Sequence, residues 1–362
     1  KLIHGGVRYL ETAWNAFRRG RFVEAGKNFR FVFSSLRECR ILEKIAPELI
    51  KPLPILIPIY KNDSQKPFLV YIGTLFYSLL AFLSGNRRMP KIFWNKSSLF
   101  KVIPDIRGEG LQGGVMIWDR LTDDQALVHA TIDSAKRNGA ECLEEASVLR
   151  YQYEAGANSY KTEVRAAGQT SVFYSRKLIN ATGPWIDETR QRGGENDRPL
   201  ILPVAGGHLV MNKFLPCSVL LRAPDDRFFF VINIGETARV GTTERVHNDP
   251  DSVQMTAEET QYLLQSLTHY FPGLLFKEED ILSKDAGVRP LARSADSSQP
   301  HDVSREHELR VGPSGAIHIV GVKLTDHRRA AEEAIDRLWP EIRRMHPGFE
   351  AHASTAEVPL AE

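Results

Sequence analysis

Apolar positions in residues 7 to 50 recur at helical spacing, with no proline before Pro47 and many arginines between them, which predicts helices over this stretch. The pattern then breaks. PLPILIPIY, 52 to 60, sets prolines among apolar residues, which forbids a helix and predicts extended chain. FLVYIGTLFYSLLAFL, 68 to 83, is the most hydrophobic run, and its sixteen residues fall short of the ~20 a helix needs to cross a bilayer. Basic residues follow in GNRRMPK and at Lys96 and Lys101. Two readings stay open for the run: a buried core helix, or an interfacial helix with a basic collar facing anionic lipid.

From residue 115 the periodicity shortens. VMIWD reads as a strand and TDDQALVHATIDSAKRNG as a helix ending at Gly139. SVLRYQYE, TEVRAA and VFYSRKLINATG read as strands separated by turn residues, followed by a second set in HLVMN, VLLRA, RFFFVINIG and ARVGTTE. Thr256 with Glu259 three residues on marks the start of an amphipathic helix, TAEETQYLLQSLTHYF, by a capping box. ELRVG and AIHIVGV are strands, and LTDHRRAAEEAIDRLWPEIRRM closes with a helix. Asp119, Asp123 and Asp124 read as turn and helix-cap residues. Strands and helices mixed with one strand-rich block predict an α/β (α+β) protein with a β-rich second layer.

Composition narrows the class. A chain of 362 residues exceeds one ordinary core, so two domains or one elaborated fold are expected. Forty-seven Lys and Arg against 45 Asp and Glu leave +2, which argues against a nucleic-acid partner. Three widely spaced cysteines, Cys39, Cys142 and Cys217, suit a reducing compartment and fit neither a disulfide framework nor a metal site.

GEGLQG, 108 to 113, matches the dinucleotide fingerprint by letter, but it leads into a strand instead of a helix, so it reads as a turn. LINATGPW, 178 to 185, is a strand ending in small residues; Thr182 and Gly183 would present backbone N–H groups where open α/β sheets bind ligands. KLIHGGVRYLE at 1 to 11 sets a glycine pair beside Lys1, His4 and Arg8, and a main chain without Cβ atoms can approach a flat or anionic group closely.

KLIHGGVRYLE, LINATGPW, GTTE (241 to 244), AGVRPL (286 to 291) and KLTDHR (323 to 328), together with GGVMIWDRLTDD and GGHLV around His208, occur in an order that strongly resembles the FAD-dependent glycerol-3-phosphate dehydrogenases of the glycine/D-amino-acid oxidase superfamily. The resemblance runs over nearly the whole chain. It implies a Rossmann-like FAD-binding domain of the glutathione-reductase/D-amino-acid-oxidase type, from 1–50, 105–190 and 310–345, and an antiparallel-sheet substrate domain from 51–104 and 191–309. Residues 346–362 would open a C-terminal extension. It also implies a strand–GxGxxG–helix unit upstream and a helical domain downstream, so the sequence is expected to be a trimmed piece.

By the same resemblance, FAD would lie across Lys1, Leu2, His4, Gly5, Gly6, Ser147, Val148, Ala181, Thr182, Gly183, Gly321, Lys323, Leu324 and Thr325. Arg8, Tyr9, His208, Arg289, Arg305 and Lys323 would bind a phosphorylated substrate, with His208, Arg289 and Lys323 catalytic and His208 the base. Arginine forks match phosphate oxygens, and imidazole titrates near working pH. The implied reaction takes glycerol 3-phosphate to dihydroxyacetone phosphate and passes electrons to quinone. The implied setting is cytoplasmic and peripheral to the membrane through 68–83, with a homodimer left open. Val322 and Asp326 depart from the family pattern, where a glycine and a neutral hydroxyl are usual. With His327 they favour one alternative, an FAD enzyme for a 2-hydroxy acid or another glycerol-phosphate-like substrate; the expected but missing upstream GxGxxG unit alone supports a second, a non-catalytic remnant that binds a membrane or partner.

Overall fold

In the computed structural model the described residues are 1–61, 63, 66–293, 307–348 and 354–360, with Arg8 described by its backbone alone. They form two compact units. Unit 1 comprises Lys1–Asp124, Ala205–Glu244 and Ser252–Gly287; unit 2 comprises Gln125–Val204, Arg245–Asp251 and Val288–Glu362. This differs from the division expected above: residues 1–50 share a unit with 51–104. The cause is strand pairing, since β1 (Leu2–Ile3) and β2 (Ile50–Tyr60) both pair antiparallel with β4 (Leu111–Thr122).

Unit 1 is a mixed sheet in the order β1-β4-β2-β10-β11-β12-β9, with β3 (Lys91–Phe93) also on β4. Here β9 is Ile201–Asn212, β10 Ser218–Arg222, β11 Phe228–Ile234 and β12 Thr237–Gly241. All pairs are antiparallel except β2 with β10, which meet only at Ile55 and Leu56. Pro52, Pro54 and Pro58 therefore fall outside that ladder, which is how a strand holding three prolines sits within a sheet.

Alternation along the strands builds two cores. Ile55, Ile57, Leu220 and Ile232 face one side with Leu10, Val32, Leu36 and Tyr77 of helices α1 (Arg8–Arg18), α2 (Phe22–Ile45) and α3 (Pro67–Leu83). Leu56, Val219, Leu221 and Val231 face the other with Leu99 of α4 (Lys96–Phe100) and Leu263, Leu267 and Phe271. Opposite parity on one strand thus feeds opposite layers.

The hydrophobic run is the helix α3. Thr74, Tyr77 and Ala81 are its buried residues, while Phe68, Ile72, Leu75, Phe76, Leu79, Phe82 and Leu83 are exposed. It is therefore no core helix, and an apolar stripe at i, i+4, i+7 and i+8 faces outward. Among the described residues no helix is long and apolar enough to cross a membrane.

Unit 2 holds two three-stranded sheets. One is β5 (Ala146–Glu154), β6 (Ser159–Ala166) and β7 (Gln169–Ser175), antiparallel throughout. The other has β8 (Ile179–Asn180) parallel to β16 (Ile317–Val320), and β16 antiparallel to β15 (Glu308–Val311). The segment expected to be one strand, VFYSRKLINATG, is thus two strands in two sheets. Helices α5 (Asp124–Arg137), α6 (Ile186–Arg192) and α8 (His327–Met345) complete the unit. The remaining elements are β13 (Arg245–Val246), α7 (Ala257–Tyr270) and β14 (Ile281–Ala292). α7 begins at Thr256 with both capping-box bonds made, as the sequence predicts, and GEGLQG delivers β4 as a turn.

Candidate functional site

In unit 1 the turn after β1 carries the first group of expected site residues. Lys1 is tied by its carbonyl to the Thr122 N–H at 2.9 Å, and Leu2 pairs with Leu121. Gly6, at φ +83°, turns the chain into α1, and its carbonyl accepts from the Tyr9 N–H at 2.9 Å. The interior dictates Gly5: a Cβ there would lie 2.5 Å from Leu36 and 2.8 Å from the Tyr77 hydroxyl. The Gly5 N–H donates to that hydroxyl at 3.0 Å, and the hydroxyl donates to Asp119 Oδ1 at 2.7 Å. Asp119 is accordingly a buried acceptor on β4, not a turn residue. Burial, with Asp119 beside it, pushes the Tyr77 phenol well up. Tyr9 packs its ring edge-on against Phe31, with centroids 4.9 Å apart. His4 is half-buried beside the glycine pair.

His208 is half-buried on β9 opposite Gly241 of β12. A Cβ on Gly241 would come within 2.7 Å of the imidazole Cδ2, so the glycine makes room for the ring. The GTTE and GGHLV motifs meet here. Thr243 Oγ1 accepts from the Gly207 N–H at 2.9 Å and donates to Glu259 Oε1 at 2.6 Å, while the Thr243 N–H reaches the Gly207 carbonyl at 3.2 Å. The helix-capping glutamate thereby anchors the strand that carries His208.

In unit 2 the parallel pair β8/β16 delivers two expected segments at one sheet end: Ala181–Gly183 after β8, and Gly321–Thr325 after β16. Ala181 and Thr182 are exposed there. Gly183 has φ +59° with none of the described residues within 4 Å of where a Cβ would sit, and Gly321 has φ +72°. Thr182 does not present a free N–H, contrary to expectation, because Asn180 Oδ1 accepts it at 3.2 Å together with the Thr182 hydroxyl at 2.7 Å. Lys323 precedes the short 3₁₀ turn Leu324–Asp326, in which Thr325 and Asp326 are buried.

Sequence reasoning missed the network beneath these strand ends. Asn180 donates to the Ile186 carbonyl at 3.1 Å and to His318 Nδ1 at 3.3 Å, and His318 Nε2 donates to Glu195 Oε2 at 2.9 Å. Glu195 also accepts from Ser314 at 3.2 Å and pairs with Arg190 at 3.4 Å. With Nδ1 accepting and Nε2–H donating, His318 is the neutral tautomer. Burial holds it below its usual value, against the opposing pull of Glu195. Only the small polar Asn180 inside LINATG signalled it, since its partners lie far along the chain.

Ser147 and Val148 lie on β5, whose pairing with β6 is irregular just beyond Val148, and Arg192 donates to the Val148 carbonyl. Arg289 is half-buried on β14. Arg305 lies outside the described residues. Lys1, Leu2, His4, Gly5, Gly6, Arg8, Tyr9 and His208 thus belong to unit 1, and Ser147, Val148, Ala181–Gly183, Arg289, Gly321 and Lys323–Thr325 to unit 2.

A parallel strand pair followed by two positive-φ glycines, within a mixed α/β architecture, is the kind of sheet end at which open α/β sheets bind ligands. A family model described as FAD dependent oxidoreductase (DAO) matches residues 1–303, and the chain belongs to that family. Its relatives are more specific. It is 30% identical over 368 residues to an aerobic glycerol-3-phosphate dehydrogenase of Staphylococcus haemolyticus, covering 100% of this chain and 63% of that one. It is 31% identical over 366 residues to the same-named protein of Bacillus subtilis, again covering 100% and 63%. Against a solved glycerol-3-phosphate dehydrogenase of Bacillus halodurans complexed with FAD, the TM-score is 0.70 at 25% identity, covering 89% of this chain and 57% of that one. The chain spans less than two thirds of the length of these relatives.

Proposed function

We propose that the protein is an FAD-dependent dehydrogenase that oxidises glycerol 3-phosphate to dihydroxyacetone phosphate and passes the electrons to quinone. What carries this reading is that its likeness to the aerobic glycerol-3-phosphate dehydrogenases extends over 100% of the chain. Bound FAD supplies the acceptor for the hydride that leaves substrate C2. The residues of the chain fit that group: the exposed Ala181 and Thr182, with open space at Gly183, and the segment Gly321–Thr325 would hold it in unit 2. Lys1, Leu2, His4, Gly5 and Gly6 would hold it in unit 1, with Ser147 and Val148 contributing from β5.

His208 takes the proton of the substrate C2 hydroxyl, an imidazole base on a strand fixed by Thr243 and Glu259. Arg8, Tyr9, Arg289 and Arg305 grip the phosphate, and Lys323 adds positive charge where negative charge develops. Asp326 would oppose a phosphate if it faced the substrate. It is buried and lies 3.7 Å from the Arg329 guanidinium, so its charge is met within the protein and does not count against a phosphorylated substrate. The exposed apolar stripe of α3 supports peripheral attachment to the membrane that carries the quinone.

Anaerobic addition of glycerol 3-phosphate to the full-length protein should bleach its yellow flavin absorbance. In His208→Asn the bleaching rate should fall by about 10²-fold or more. A flavin that stays yellow at millimolar substrate refutes the proposal.

A further inference from the structure

Unit 1 contains a cavity of about 520 Å³, within the ~300–1,000 Å³ of small-molecule sites. Its wall is overwhelmingly apolar, with Leu10, Phe29, Ile57, Leu69 and Phe228 among the lining residues. Three charged side chains, Glu11, Asp63 and Arg222, also reach it. Arg222 is already committed, to Glu11 at 2.8 Å and to Asp226 at 2.9 Å, with its guanidinium 4.1 Å from the Phe228 ring centroid. Asp63 differs. Its Oδ2 accepts from the Tyr60 N–H at 3.0 Å, and its other oxygen has no hydrogen-bond partner among the described residues. Burial pushes this carboxyl up, against the pull of Arg222 and Arg107. Among the described residues the polar lining therefore offers an open acceptor and holds no uncommitted cation.

Two features of α3 bear on the occupant. Gly73 lines the cavity from the interior of the helix, where glycine is the least favourable residue after proline. Among the described residues a Cβ there would touch nothing within 4 Å, so none of them requires the glycine; what its missing side chain leaves is cavity volume. Phe68, Ile72 and Phe76 both line the cavity and belong to the exposed stripe, so the cavity opens onto apolar surface.

We infer that this cavity binds a single-chain amphiphile, its hydrocarbon tail along Gly73 and its head, an alcohol or ammonium group, donating a hydrogen bond to Asp63. A carboxylate head is disfavoured because two acidic groups line the site and the one cation is paired. The inference rests on unit 1 alone and goes beyond the oxidoreductase reading.

The test is calorimetric titration of the full-length protein with dodecanol below its solubility limit and with dodecylammonium and dodecanoate below their micelle concentrations. The alcohol and the ammonium should bind, with dodecanoate at least tenfold weaker. Gly73→Leu should weaken both by tenfold or more, and Asp63→Asn should bring dodecanoate to within about threefold of the alcohol. Equal affinity for the three heads, or full affinity in Gly73→Leu, overturns the assignment. Should Gly73→Leu fail to fold, Trp14 supplies a second measurement, because it lines the cavity. A long-chain alcohol carrying a nitroxide should quench a component of tryptophan fluorescence that Trp14→Phe removes. Quenching undiminished in Trp14→Phe overturns the site. A benzoquinone with the same tail binding in preference to the alcohol overturns the choice of head and gives the cavity to the electron acceptor.

Discussion

Glu43 illustrates how much a single side chain supports in unit 1. Its carboxylate meets Arg88 at 2.6 Å and Arg120 at 3.0 Å, and the Arg120 side chain is 1% exposed. Glu43→Ala strands that guanidinium, whose Nη1 already lacks a partner among the described residues, and should cost about 3–5 kcal/mol in urea denaturation. Burial alone would raise the Glu43 carboxyl, but the Arg88 hydrogen bond and the Arg120 charge outweigh it and hold it below its usual 4.5. A depressed acid stabilises above its unfolded value, and that contribution is lost as pH falls through the folded one. His318 is depressed too, so unit 2 loses stability sooner, from about pH 6.5 downward. Hydrogen exchange on acidification should loosen the amides around His318 before those around Arg120, and Glu43→Gln should flatten the later loss. Gly5 gives the complementary case of overfilling. Gly5→Ala should cost about 1–3 kcal/mol by the clash with Leu36. Combined with Leu36→Ala, the total should fall short of the sum of the single costs by about 1 kcal/mol, measured by a double-mutant cycle.

Elements differ in how far local chemistry determines them. The start of α7 is local: Thr256 Oγ1 accepts from the Glu259 N–H at 3.2 Å and the Glu259 carboxylate accepts from the Thr256 N–H at 3.0 Å. Thr256→Ala should therefore lose about 1 kcal/mol, read from the shift in urea midpoint. The same locality made this helix legible from its letters, as it did the turn at GEGLQG and the extended proline-rich strand. β7 and β8 were not legible as separate strands. They lie only three residues apart, and what separates them is pairing, β7 with β6 and β8 with a strand nearly 140 residues later. Asp119 was misread for the same reason, since its partner Tyr77 lies 42 residues away. The site followed suit: the glycines at 6, 183 and 321 could be picked from motif order, whereas the Asn180–His318–Glu195 network that holds one of those segments could not. Pair interactions at long separation leave no period in the sequence.

At the scale of the molecule, α3 presents more exposed aromatic and aliphatic side chain than a surface helix needs. Leu79→Glu with Phe82→Glu should abolish co-sedimentation with anionic liposomes while changing unfolding stability by less than about 0.5 kcal/mol, because neither residue is buried. Retained sedimentation would assign attachment elsewhere. The two units are each assembled from three stretches of polypeptide. Strand β2 meets β10 only where Ile55 and Leu56 find Ser218 and Val219, roughly 160 residues downstream. At synthesis rates of about 5–20 residues per second, that edge of β2 emerges from the ribosome and waits some ten to thirty seconds for its neighbour. A nascent chain in that interval exposes an unpaired edge at Ile55 and Leu56, the kind of apolar edge that chaperone holdases cover.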